Sequence, residues 1–527
     1  MVKRMFWLLA AAVMLGLLPC CSGQTAPGKA EEGDTADANG TYYPGKTWRT
    51  STPEAQGMDS AKLVEMFQKI REQGTPIHSF LIIRHGYLVA EAYFDPFTAE
   101  THHDLFSATK SFTSTLIGIA IDEGKVKGVD QRVLDFFPGV KVSDDSQGTS
   151  AMTLEHLLTM TAGHKADSVD NVYGSRDWAR DFFSLPFAHK PGSKFLYDSG
   201  ASHLLAAVLH RATGESADNY AKERLFQPLG ISDYSWEKSA EGLNTGGWGI
   251  RMKPADMARF GYLALHKGAW RGKQLVSAQW IEKATQKHID GDWDGTPADG
   301  YGYQWWINPF GGYRADGFAG QFIYVLPEQD IVAVVTSGIN YSEEWQPARY
   351  MSDYVLPAVK SGEALPENQQ AQQDLAALLQ ELAHPTPVAS PALPETASRI
   401  SGQLFETYSF LGSFSLDFSK PGICTFHFNQ SGKHSFPVGL DGAYRVTKAS
   451  RVGTLQWYPP YEAIALKGRW ADSSTFVMDW QYVGEPYHEE YKFVFDGGGV
   501  TVEVTEYVVG GAGPMTPHAV YTGKLAK

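Results

Sequence analysis

The chain predicts an α+β domain, one antiparallel sheet flanked by helices with an all-helical subdomain, followed by a small all-β barrel-like domain. Three observations lead there. Strand-like runs stand at both ends of the segment 46–360, with helical runs between them. From Ile400 onward apolar and polar residues alternate, as in Cys424-Thr-Phe-His-Phe and Val500-Thr-Val-Glu-Val, with turn signals such as Asp496-Gly-Gly-Gly between the runs. Between the two regions, 361–398 reads as a helix and then a linker, with four prolines in 384–394. The second domain then occupies 399–527.

Taken in order, residues 1–21 read as an export leader. Lys3 and Arg4 precede an apolar run, 6–18, too short to span a bilayer. That run meets Leu18-Pro19-Cys20-Cys21, which resembles a bacterial lipoprotein signal with Cys21 as the lipidated residue. The resemblance implies an exported, cell-envelope protein held to a membrane by a lipid anchor. Residues 22–45, rich in Gly, Ala, Glu, Asp and Thr, read as a disordered tether. Leu63, Met66, Phe67 and Ile70 have amphipathic-helix spacing over 60–73. Strands follow at 79–84 and 87–94, turned by His85-Gly86. An apolar helix runs from Ser107 to Gly124, and a short one opens on Thr153 and closes at Gly163. The stretch 164–194 is irregular and aromatic, the kind of long connection that borders sites. Helices are predicted over 201–213 and 254–266, strands over 301–307, 317–326 and 330–337, and a helix over 369–382.

Several function classes fall away. A net charge of −14 with no clustered Lys/Arg argues against nucleic acid as a partner. Beyond the leader only Cys424 remains, so no internal disulfide is expected, and that thiol reads as a buried small hydrophobe. His102-His103-Asp104 lacks metal spacing and reads as a polar approach to the following helix, while His156 and His203 read as structural. No metal and no cofactor is implied. Oligomeric state is left open.

The chemistry centres on Leu105-Phe-Ser107-Ala-Thr-Lys110-Ser-Phe112. On a helix, positions i and i+3 are neighbours, so the Lys110 amine can reach the Ser107 hydroxyl and take its proton. Ser107 at a helix N-terminus would also offer its N–H to an oxyanion. Alone the spacing is weak. About one or two S-x-x-K matches arise by chance in a chain this long, and Ser235-Trp-Glu-Lys238 is a second that opens no apolar helix. Two later stretches strengthen the first. Tyr197-Asp-Ser199 enters a helix, where a phenol can face a cleft, and glycine-rich Ala315-Asp316-Gly317-Phe318 opens a strand whose backbone can approach a substrate.

These three segments, in this order, resemble the serine β-lactamase and penicillin-binding-protein superfamily, closest to its class C β-lactamase-like branch with family VIII-type esterases and 6-aminohexanoate-dimer hydrolases. Ser107-Ala-Thr-Lys110 matches S-x-x-K, Tyr197-Asp-Ser199 matches Y-x-N/S, and Ala315-Asp-Gly317 lies where the family carries Lys-Thr-Gly, His-x-Gly or Trp-x-Gly. The resemblance covers about 46–358. It implies Ser107 as acylated nucleophile, Lys110 as its base, and Tyr197 as proton shuttle. It also implies the backbone N–H groups of Ser107 and Phe318 as oxyanion hole, and Ser199, Asp316 and Gly317 beside the substrate. Ala315 cannot supply the cation that many relatives place at this motif to pair with a substrate carboxylate. That favours small esters or amides over β-lactams or D-Ala-D-Ala peptides, unless Arg314 substitutes. A non-catalytic binding lipoprotein is the rival of another class. Tyr301, Tyr303, Trp305 and Trp306 read as sheet core, and Tyr173 as a residue that can reach the cleft from its loop. The carboxy-terminal β region resembles the barrel- or lipocalin-like domain appended to some superfamily members, there a lid or a stabilising partner.

Overall fold

The computed structural model describes residues 35–36, 40–143, 145–291, 297–407, 409, 411–430, 432–449, 452, 461–507 and 519–526. The leader, Cys21 and most of the tether lie outside them. Among the described residues no helix is long and apolar enough to cross a membrane.

Seven strands form one antiparallel sheet, ordered Gly300–Tyr301, Trp306–Ile307, Tyr313–Gly317, Gln321–Leu326, Ile331–Ser337, Ile77–Arg84, Tyr87–Tyr93. Side chains alternate across a strand, and both faces here are covered, so the central strands are near-continuous apolar runs. Phe80 and Ile82 pack with Leu63, Phe67 and Leu375 from the helices Ser60–Gln73 and Gln369–Ala383. Leu81 and Ile83 point the other way, into the core shared with Leu116 and Phe260. His85 (φ 51°) and Gly86 (φ 79°) make the expected two-residue turn, both central residues left-handed as a type I′ hairpin requires.

The run 301–307 is not one strand. The chain turns back at Gln304, which sits at φ 63°, and splits it into two short antiparallel pieces. The Gln304 amide donates to the carbonyls of Leu157 and Leu158 (3.1 Å each) and accepts from Ser202 Oγ (2.7 Å). Satisfying a buried amide outweighs strand propensity here.

Helices Thr109–Asp122, Ser199–Thr213 and Pro254–Leu265 carry the core on the sheet's other side. Beside its helices this region also holds a small sheet of His103–Asp104, Ile250–Met252 and Tyr234–Trp236. Ser235 lies on that sheet, where no helical turn brings Lys238 to it.

In the carboxy-terminal domain nine strands close into a barrel: Phe405–Thr407 pairs with both Ser413–Lys420 and Ala519–Leu525, and a bridge from Gly439 to Lys467 joins the remaining gap. A tenth strand, Arg445–Lys448, pairs alongside Ala463–Trp470. Phe414, Phe426, Trp480 and Phe493 fill the interior. Cys424 is buried there, and burial pushes its thiol up, as befits a packing residue.

Candidate active site

Ser107 is not on the α-helix itself. It sits in a single 3₁₀ turn, Phe106–Ala108, that runs straight into the helix beginning at Thr109. The i, i+3 relation survives the junction, and Lys110 Nζ lies 2.9 Å from Ser107 Oγ. The amine also lies 2.8 Å from the Gly247 carbonyl and 3.3 Å from Ser199 Oγ. Burial pushes the amine down from 10.5 to about 7, against the pull of Asp167, Asp198 and Asp316. A neutral amine has two N–H groups and one lone pair. The carbonyl of Gly247 can only accept, so one N–H is committed there. With the second N–H on Ser199, the lone pair is left for the Ser107 proton. A Cβ on Gly247 would stand 2.9 Å from the Ser199 carbonyl, which is why this close approach needs glycine.

Tyr197 precedes the helix Ser199–Thr213, and Asp198 caps that helix by accepting from Ala201 N–H. Asp198 is 1% exposed and also accepts from His164 Nδ1 (2.8 Å) and from the Ser168 amide and hydroxyl. Burial alone would raise this carboxyl, but the bonds from His164 and Ser168 outweigh it and hold it below the usual range. These contacts fix the Tyr197–Ser199 backbone. The Tyr197 hydroxyl bonds with Ser107 and its ring stacks on Trp306 at 6.0 Å, while Lys110 Nζ lies 4.8 Å from the ring centre. Burial raises the phenol further, so it keeps its proton at neutral pH.

The third stretch closes the site. A Cβ on Gly317 would stand 2.2 Å from the Leu105 carbonyl, so this strand end runs tight against the turn carrying Ser107. Phe318 follows, its ring edge-on to Phe106 at 5.5 Å. Phe106 (φ 44°) and Ala319 (φ 60°) are left-handed without being glycine, one beside each of the residues predicted to form the oxyanion hole. Such conformations cluster at sites that the surrounding structure holds in place.

Ser107, Asp167, Tyr197, Ser199, Trp306, Asp316, Phe318, Tyr341 and Glu344 line a cavity of about 290 Å³. Trp306 is thus pocket wall rather than only sheet core, whereas Tyr301, Tyr303 and Trp305 are buried as expected. Tyr173 is 57% exposed, bonds to Glu237 at 3.5 Å, and is not among the lining residues. Asp167, Tyr341 and Glu344 carry no motif of their own, since each comes from a loop or short turn away from the three motifs in the chain. The cluster Thr245-Gly-Gly-Trp-Gly249 was the available signal for Gly247, since closely spaced glycines mark close backbone approach.

No lysine or arginine side chain is among the lining residues. Arg314 is fully buried, with Nε 2.9 Å from Asp316 Oδ2 and Nη1 2.9 Å from Asn308 Oδ1, so its charge is spent on Asp316. Burial raises the Asp316 carboxyl while Arg314 pulls it down. Burial and nearby Asp316 push Glu344 up to about 8, so it holds its proton at neutral pH, one oxygen accepting from Ala319 N–H at 2.5 Å. Among the described residues no group of three or more His, Cys, Asp or Glu is placed to hold a metal ion.

A Ser–Lys–Tyr constellation, its lysine buried, thus lies between an antiparallel sheet and a helical region, the arrangement of the serine β-lactamase and penicillin-binding-protein superfamily. The Beta-lactamase family matches residues 30–354, and the chain belongs to it. It is 24% identical over 311 residues to the 6-aminohexanoate-dimer hydrolase of Paenarthrobacter ureafaciens, covering 53% of this chain and 76% of that protein. It is 28% identical over 211 residues to Esterase EstB of Burkholderia gladioli, covering 34% of this chain and 53% of that one. A solved family VIII carboxylesterase matches 58% of this chain and 98% of its own at 16% identity, with a TM-score of 0.44. The chain thus spans about three quarters of the first of these relatives and about half of the second.

Proposed function

We propose that the protein hydrolyses small esters or amides through an acyl-enzyme on Ser107. The observation that carries this reading is Lys110 Nζ, 2.9 Å from Ser107 Oγ and pushed down to about 7. In acylation the Ser107 oxygen bonds to the substrate carbonyl carbon while its proton passes to Lys110. The oxyanion is met by the N–H groups of Ser107 and Phe318. Lys110 and the Tyr197 hydroxyl relay the proton to the departing alcohol or amine as its bond to carbon breaks. Water then adds to the acyl carbon, its proton leaves through the same pair, and Ser107 is restored. Ser199, Asp316 and Gly317 border the bound acyl group.

Substrate choice follows from the lining. A carboxylate beside the scissile bond would face Asp167 and Asp316 with no free guanidinium or second amine to pair with. Esters and amides without that group fit better than β-lactams or D-Ala-D-Ala peptides. With purified protein, p-nitrophenyl acetate is expected to be turned over with a kcat/KM at least about tenfold above that for nitrocefin. Faster nitrocefin turnover would reverse the preference. The protein is further read as an exported lipoprotein anchored through Cys21. Labelled palmitate in the wild type and none in Cys21→Ala is the expected result, and equal labelling removes the anchor.

A further inference from the structure

One of the places where the barrel meets the catalytic domain is the turn between its strands Thr475–Val483 and His488–Asp496. Gly484, at φ 90°, accepts through its carbonyl from Asp104 N–H (3.3 Å) and Arg251 Nη2 (3.2 Å). A Cβ there would stand 2.6 Å from the His102 carbonyl. Two residues on, the Pro486 carbonyl packs so tightly on Gly338 that a Cβ on that glycine would come within 2.2 Å of it. Between them Glu485 is fully buried, with Oε1 in a short ion pair to Arg251 Nη1 and Oε2 without a hydrogen-bond partner. A buried ion pair with an unmet oxygen is a poor way to glue two domains, since apolar contacts of the same size do as well or better. Its position suggests another use.

Arg251 lies in register with Asp104, and Asp104 Oδ1 accepts from Phe106 N–H at 2.8 Å, the residue before Ser107. Leu105 N–H donates to the Ile250 carbonyl at 2.8 Å, and Ile250 N–H to Thr109 Oγ1 at 3.2 Å. Three residues before Ile250 stands Gly247, whose carbonyl holds the Lys110 amine. The strand Ile250–Met252 therefore steadies the nucleophile turn from one end and the base from the other, and the barrel grips it at Arg251. From Gly338 the same turn reaches the third stretch, because Ile339 N–H donates to the Ala319 carbonyl at 3.2 Å.

We propose that Glu485 is a positioning residue for the Ser107–Lys110 pair, acting through Arg251, so that the barrel is part of the acylating unit rather than a cover or a plain stabilising partner. This rests on the serine-hydrolase reading above. The interface supplies its own control. Glu462, also of the barrel, pairs with His102 Nδ1 at 2.6 Å instead of with Arg251, on which it acts only at longer range.

The test compares Glu485→Gln and Glu462→Gln in the full chain. The rate of fluorophosphonate labelling is measured with kcat and KM for p-nitrophenyl acetate and the melting temperature. For Glu485→Gln, labelling rate and kcat are expected to fall about tenfold with KM within roughly twofold, as a small misplacement of reacting groups does. Glu462→Gln should stay within roughly twofold on all three. Arg251→Lys keeps the charge but loses the planar fork that meets Glu485 and Gly484 from two separate nitrogens, and it should follow Glu485→Gln. Unchanged labelling in Glu485→Gln overturns the proposal. So does a parallel loss in both Gln variants that tracks melting temperature. A wild type that the probe does not label removes the serine-hydrolase reading itself, and the proposal with it.

Discussion

Replacing Lys110 with methionine is expected to lower acylation of Ser107 by about 10²–10⁴-fold, the worth of a positioned general base, while the protein melts at a higher temperature. Methionine keeps the length of the stem and removes only the amine. The loss of activity follows because, among the described residues, the only other group on the Ser107 hydroxyl is the Tyr197 phenol, which burial keeps protonated. The gain in stability follows from the sign of the pKa shift. Burial holds the folded-state amine at about 7, below its ordinary 10.5, so between those values the unfolded chain binds the extra proton. Stability from this group therefore rises with pH across that window and is lowest below about 7, where a buried charge must be carried. Methionine removes that cost. The wild-type acylation rate should itself climb as pH rises through about 7 and level off above it, as Lys110 becomes neutral. A methionine variant with wild-type labelling would show that Lys110 is not the base.

Tyr197→Phe carries the second large effect, about 10²–10³-fold in kcat with KM little changed. Phenylalanine keeps the ring that stacks on Trp306 and packs under Lys110, so the pocket wall stays in place. What goes is the hydroxyl on Ser107, and with it the path from Lys110 to the leaving group. The loss should be larger for amides than for p-nitrophenyl esters, because a phenolate leaves without a proton and an amine does not. Steady-state kinetics on an ester and its matching anilide decide this. Equal losses on both would remove Tyr197 from the relay to the leaving group.

Most of what positions the site was legible from local pattern. The apolar runs of 79–84 and 330–337, the His85-Gly86 turn and the helical spacing on 60–73 are each decided within a few residues, and the elements stand there. Ser107, Lys110 and Tyr197 are brought together as their spacing and order suggested. What stayed hidden depends on contacts far apart in the chain. Gln304 breaks an aromatic run that reads as a strand because its amide finds partners some 146 residues away. Trp306 reads as core from its neighbours, yet register places it against Tyr197. Arg314 offered itself as a substitute cation, and only the fold shows its charge taken by Asp316. Glu485 has no motif at all; its meaning lies in an ion pair spanning 234 residues.

The most direct test is to locate the covalent adduct. Purified protein is treated with a fluorophosphonate, digested, and the modified peptide identified by mass spectrometry beside Ser107→Ala and Ser235→Ala. A single adduct on Ser107, lost in Ser107→Ala and kept in Ser235→Ala, is the result predicted. No adduct, or one that persists in Ser107→Ala, would contradict the acyl-enzyme account.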